Sequence, residues 1–166
     1  MSSRGQFFSQ DLLSAAVIFM LSMGALTYAW STSKARMAER RVIEELEHKS
    51  WAASAALAET PGEPEWWEDG AVNVTSYGLA SVPLVLSADK VSAFRGAGVD
   101  DVREALRLGS SRYHLILRDG GRVLTEAGER PSGEFASSAW RVVSYGNGTA
   151  VMEFTVWDNL PGAVFP

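Results

Sequence analysis

Three kinds of hydrophobic pattern follow one another along the chain. Residues 12–30 read LLSAAVIFMLSMGALTYAW, with no charged side chain. At about 1.5 Å rise per residue, a helix of this length matches a hydrocarbon core roughly 30 Å thick. Tyr28 and Trp30 close the run, where amphipathic rings favour the headgroup level. A lone strand would leave its backbone unsatisfied in lipid, so the run predicts a single spanning helix. A secretory signal is the competing reading, but its apolar core is typically about 7–15 residues and ends at a small-residue cleavage site, which does not follow cleanly here. After Trp30, apolar or small residues recur at Ala35, Ala38, Val42, Leu46, Ala53 and Leu57. This spacing is close to a helical stripe, with charged residues between and an i,i+4 pair at Glu45 and Lys49. No Pro or Gly interrupts until Thr60-Pro61-Gly62, so one helix is expected from about Ser9 to Leu57.

The remainder is shorter in period. Ser87 is placed as N-cap of a short helix opening at Ala88-Asp89-Lys90, and a second helix opens at Asp100 and closes at Gly109. Then alternation takes over. Residues 113–118 and 122–125 flank Asp119-Gly120-Gly121, and residues 139–145 and 150–157 flank Gly146-Asn147-Gly148. Both read as hairpins. The fold class expected is α+β: a long N-terminal helix packed on a small antiparallel sheet of about four strands.

Composition narrows the functions. The formal charge of −5 gives no footprint for nucleic acid. With no cysteine, disulfides, thiolate metal sites and a cysteine nucleophile are excluded. His48 follows Glu44 by four residues, a spacing that a metal accepts but that a solvated helical face also explains. Ser87 and Lys90 match an S-x-x-K hydrolase spacing without its companion motifs. The acidic loop around Trp66 and Trp67 lacks calcium-loop spacing, and at least one of the two rings is expected to anchor the loop. No enzyme, cofactor or metal is therefore expected. Asn73-Val74-Thr75 and Asn147-Gly148-Thr149 are glycosylation sequons, which suit an exported domain. Against export, Lys34, Arg36, Arg40 and Arg41 follow the apolar run and only Arg4 precedes it, the reverse of the usual positive-inside bias.

The extreme N-terminus decides between these. Ser3-Arg4-Gly5-Gln6-Phe7-Phe8-Ser9-Gln10-Asp11-Leu12-Leu13 resembles the start of archaeal type IV pilin-like proteins, which carry a class III signal peptide. The resemblance implies that a prepilin peptidase cuts between Gly5 and Gln6, leaving the apolar helix on the mature chain. It further implies a partner role for other pilin subunits through that helix, for membrane lipid before assembly, and an outward-facing domain. The family places Ser two and an acidic residue four positions after the leading Gln; here Ser9 and Asp11 are displaced by one. The resemblance gives Asp11 contact with a neighbouring subunit's N-terminal amine; the residues alone equally allow a helix cap. A softer likeness to the post-helix region of such proteins runs from Thr60 to Leu108, through TPGEPEWWE, YGLAS, LSADKVSAF and VREALRLG.

The organisation expected is a leader (residues 1–5), a membrane or filament-core helix (6–30), its amphipathic continuation (31–58) and an extracytoplasmic α+β domain (59–166). The function expected is that of a minor or accessory pilin-like subunit. The alternative is an uncleaved, membrane-anchored binding or sensor module.

Overall fold

The computed structural model describes residues 4–70, 73–133 and 135–158, with side chains from Asp11 onward except those of Ala35, Ala38 and Glu39. Two compact units are present, Met1–Arg41 and Val42–Pro166. The described residues of the first are all helix. Helix α1 spans Arg4–Glu59, so its earlier residues form the first unit and its last turns belong to the second. It starts a turn before the expected Ser9, with Gly5 accommodated in its first turn, and it ends at the expected Thr60-Pro61-Gly62 stop.

In the second unit the last turns of α1 bury Leu46, Ser50, Ala53, Ser54, Leu57 and Ala58. The stripe of Leu46, Ala53 and Leu57 is the one read from the sequence. Ser50 and Ser54 complete it, and their small size lets the helix lie close to the sheet. Ser50 Oγ is 3.2 Å from Ser137 Oγ, and Arg141 Nε donates to Ser54 Oγ at 3.1 Å. The Arg141 guanidinium also pairs with Glu59 at 2.8 Å and sits 5.0 Å from the Trp51 ring centre. The expected Glu45–Lys49 ion pair is present at 2.7 Å.

The main sheet has six strands: β3 (Ala80–Val82), β4 (Val85–Leu86), β5 (Arg112–Asp119), β6 (Arg122–Gly128), β7 (Phe135–Tyr145) and β8 (Gly148–Asp158). Their spatial order is β3-β4-β7-β8-β5-β6. The two expected hairpins form its antiparallel centre, β7-β8 and β5-β6, joined through β5 and β8. The expectation of about four strands falls short by β3 and β4, and the β4–β7 pairing is parallel. At two or three residues each, β3 and β4 are too short to show alternation. A two-stranded ribbon, β1 (Gly62–Glu63) with β2 (Ser76–Tyr77), lies outside this sheet. In the β5–β6 turn, Gly120 and Gly121 adopt φ of 51° and 89°, the double positive φ of a tight two-residue hairpin.

Helices α2 (Ala88–Gly96) and α3 (Val99–Ala105) follow β4. Ser87 is the N-cap of α2, as expected, accepting from the Lys90 N–H. Inward-facing Tyr113, Leu115 and Leu117 of β5 meet Met152, Phe154 and Val156 of β8 in the core. A run of aromatic rings crosses this core: Trp67 to Tyr77 (4.9 Å), Tyr77 to Phe94 (5.8 Å), Phe94 to Tyr113 (6.1 Å) and Tyr113 to Phe154 (5.8 Å). It ties the Trp67 loop, β2, α2, β5 and β8 together.

The carbonyl end of α1 is closed by the segment around β3 and β4. Leu79 N–H donates to Leu57 O and Leu84 N–H to Ala58 O, each at 2.8 Å. These carbonyls would otherwise be orphaned at the helix end and buried. Gly78 makes the approach feasible, because a Cβ there would overlap the Thr60 carbonyl oxygen and the Gly62 backbone nitrogen. Gly78→Ala is therefore expected to destabilise the domain by about 3 kcal/mol, because backbone must move to admit the methyl group. Phe94→Ala, which removes the middle ring, is expected to cost about 3–5 kcal/mol. Denaturant unfolding of the full chain in detergent, followed by near-ultraviolet circular dichroism, measures both.

Candidate functional site

The apolar segment is the most distinctive feature of the first unit. Asp11–Lys34 is long and apolar enough to cross a membrane, with a mean hydropathy of 1.9 in its span window and none of that window buried. Its large side chains, Leu12 through Trp30, are more than half exposed. In water, such a stripe would be an aggregation surface; in lipid or among like helices it is stable. Its hydroxyl groups suit the same setting. Ser22 Oγ donates to Ile18 O (2.8 Å), Thr27 Oγ1 to Gly24 O (2.9 Å), Ser31 Oγ to Tyr28 O (2.9 Å) and Thr32 Oγ1 to Ala29 O (3.0 Å). Each of these polar hydrogens is satisfied within the helix, so none demands water. Lys34 Nζ lies 5.5 Å from the Trp30 ring centre, which puts a cation and an interfacial ring together at the end of the run.

Asp11 is exposed and lies beyond the first turn of α1, which holds no acidic residue. It is not the N-cap of the helix as it stands here. Gly5, Gln6 and Ser9 belong to the α1 backbone, and their side chains lie outside the described residues. Asn73 and Asn147 are both exposed, Asn73 at a φ of 71° beside β2 and Asn147 in the β7–β8 turn. Asn73, Thr75, Tyr77, Asp101 and Glu104 line a surface groove of about 600 Å³. Burial and then the Asp101 charge push the Tyr77 hydroxyl above its ordinary range, keeping it neutral.

The features that resembled chemistry resolve into structure. Trp67 is buried, its Nε1 donating to Gly78 O at 2.9 Å, while Trp66 is exposed. One ring anchors the acidic loop, as expected. Lys90, of the S-x-x-K spacing, is buried against that loop. Its ammonium donates to Pro61 O at 2.6 Å and to Glu65 O, and pairs with Glu68 at 3.4 Å. Ser87 and Lys90 therefore serve the helix cap and the loop. His48 and Glu44 both lie on α1, and both are exposed. Among the described residues no group of three or more His, Asp and Glu is placed to hold a metal.

Pattern alone did not reveal the role of His114. It is buried on β5, with Nε2 at 2.9 Å from Glu126 Oε1 on the edge strand β6. Arg130 Nε donates to the same oxygen at 2.9 Å. The turn register alone would set residues 114 and 126 on opposite faces; the register shift between Leu117 and Arg118 brings them to one face, and nothing in the sequence signals it. Arg130 first, and His114 second, hold the Glu126 carboxyl down at about 2, from an ordinary 4.5.

Against known family models, curated proteins and solved structures, the chain finds no match.

A depressed carboxyl pKa stabilises the fold above the unfolded-state value, and that stability is lost as pH falls through the folded one. The β6 edge is thus expected to loosen as pH drops from 4.5 towards 2. Amide protection factors along β6, taken relative to the intrinsic exchange rate at each pH, should fall over that window in the native chain and change less in Glu126→Gln, which has no proton to gain.

Proposed function

We propose that the chain is a structural subunit of an archaeal-type cell-surface filament, of the pilin-like kind, in a minor or accessory role. The observation that carries this reading is the unbroken α1. One helix holds the exposed apolar segment and, in its last turns, the stripe that the domain buries. A secretory signal would be removed and would not need to be built into the domain's own helix. The leader-like Ser3-Arg4-Gly5-Gln6 stretch supplies a processing point on the other side of the apolar run. In this reading a prepilin peptidase cuts at Gly5–Gln6, lipid solvates the helix before assembly, and helices of neighbouring subunits replace the lipid afterwards. Ala16, Gly24 and Ala25 keep parts of the helix slim, which permits close helix contacts. The domain faces outward, so Asn73 and Asn147 meet the glycosylation machinery. The role is assembly and display, without catalysis or a cofactor.

The displaced Ser9 and Asp11, together with the four basic residues from Lys34 to Arg41, favour a second reading. In it the chain keeps its leader and acts as a membrane-anchored binding or sensor module.

Shearing cells and collecting surface filaments separates the two. The filament reading expects the chain in the sheared fraction, and expects Gly5→Leu to hold it in the membrane pellet. Recovery from the membrane alone, unaffected by Gly5→Leu, would sink the filament reading in favour of the anchored module.

A further inference from the structure

The cations that follow the apolar run differ from those of the domain. Lys34, Arg36, Arg40 and Arg41 are all exposed, and among the described residues no carboxylate pairs with any of them. After Val42, by contrast, seven of the ten Lys and Arg side chains hold an ion pair. Glu39 is the one acidic residue between Asp11 and Glu44. Charge is segregated accordingly. Residues 42–166 hold eighteen acidic and ten basic side chains, a net −8, while the residues before them hold two and five, a net +3.

The height of these cations above the apolar run follows from helix geometry. At about 1.5 Å per residue, Lys34 lies about 6 Å past Trp30 along α1, Arg36 about 9 Å, and Arg40 and Arg41 about 15–17 Å. With Trp30 at the edge of the hydrocarbon, headgroups fill roughly the next 5–8 Å. Helical side chains lean toward the N-terminus, which here is toward the apolar run. Lys34 does so, its ammonium lying 5.5 Å from the centre of the Trp30 ring one turn earlier. Leaning back by a turn of about 5 Å, Arg36 enters the headgroup layer, and Arg40 and Arg41 come within about a Debye length of it. Arg36 and Arg40, one turn apart, line a hollow of about 190 Å³ with Ser33 and Met37. Like charges at this spacing repel, and an anion between them relieves the repulsion.

We propose that this hollow and its collar of cations bind the phosphate headgroup of an anionic membrane lipid, in the leaflet on the domain's side of the bilayer. A guanidinium matches phosphate oxygens with parallel N–H donors. Ser33 adds a hydroxyl donor at the rim, and Met37 offers the glycerol region an apolar contact. The apolar run selects lipid over a protein carboxylate. It carries the cations to a depth where lipid phosphate already lies, whereas an acidic segment of a neighbouring copy must leave water to arrive there. The domain, at −8, is repelled by the same surface, which confines the lipid contact to the collar. The inference rests on the spanning helix, common to both readings of function, and not on leader cleavage.

Native mass spectrometry of the full chain in dodecyl maltoside, titrated with phosphatidylglycerol or phosphatidylcholine, tests this. Phosphatidylglycerol should be retained and phosphatidylcholine largely lost. Arg36→Gln with Arg40→Gln should weaken phosphatidylglycerol binding about thirtyfold, at roughly fivefold per cation beside an anionic surface. Arg36→Lys with Arg40→Lys keeps the charge and should keep most of the binding. Arg95→Gln, at an exposed cation of α2, should change nothing. Equal retention of the two lipids overturns the proposal, as does an equal loss in the Lys and Gln variants, which would assign the effect to the helix rather than to charge. Free phosphate is the other source of the same chemistry. If inorganic phosphate displaces phosphatidylglycerol where chloride of equal ionic strength does not, the hollow takes a free anion and the proposal falls. It falls too if the Gln variant loses association between chains while keeping phosphatidylglycerol, because the collar then serves a neighbouring acidic domain. The same spectrum weighs the chain itself, so the fate of residues 1–5 is read separately and the filament reading can fail without this one.

Discussion

The domain depends on how the last turn of α1 is closed. A helix end leaves carbonyls without partners, and burying them unpaired is costly. Here Leu57 and Ala58 are fully buried, and their carbonyls accept from Leu79 and Leu84. Leu84 passes the connection on, since its own carbonyl accepts from Ser144 N–H of β7 at 2.8 Å. One short segment thus joins the helix end to the sheet. To do so, Leu84 holds a φ of 67°, an unfavourable value for a branched side chain, and its two backbone hydrogen bonds fix it there. Gly78 leaves room for the approach. The Trp67 loop closes over the same region, with Lys90 beneath it.

The other end of α1 obeys a different constraint. From Asp11 to Lys34 the helix has apolar side chains exposed around it and hydroxyls turned back onto its own carbonyls. Such a surface requires a non-aqueous neighbour. A bilayer supplies one, and other apolar helices supply another; the proposed life of the subunit moves it from the first to the second.

Much of the architecture was legible as pattern. The long helix, the Ser87 cap, both hairpins and the anchoring role of one loop Trp all follow from period, turn chemistry and capping. What stayed hidden has physical reasons. β3 and β4 are too short for alternation to register, and the parallel link of β4 to β7 spans residues far apart in sequence. Gly78 and Leu84 act through backbone contacts that leave no mark on hydrophobic periodicity. YGLAS could be singled out as a string, but only the structure explains it: a buried Tyr77, a Gly78 with no room for a Cβ, and Leu79 reaching Leu57. The pairing of His114 with Glu126 depends on which side of β5 faces the core. Asp11, Asn73 and Asn147 stand exposed, whereas the reading of Gly5, Gln6 and Ser9 rests on the leader motif itself.

That motif makes the most direct demand on experiment. The measurement is the N-terminal residue of the chain, by mass spectrometry of protein purified from its native membrane fraction. A chain that begins at Gln6 agrees with prepilin-type processing and an apolar helix retained for assembly. A chain that still begins at Met1 or Ser2 contradicts it and leaves an uncleaved anchor, while a chain that begins after Trp30 would mean that the apolar run is a signal removed on export.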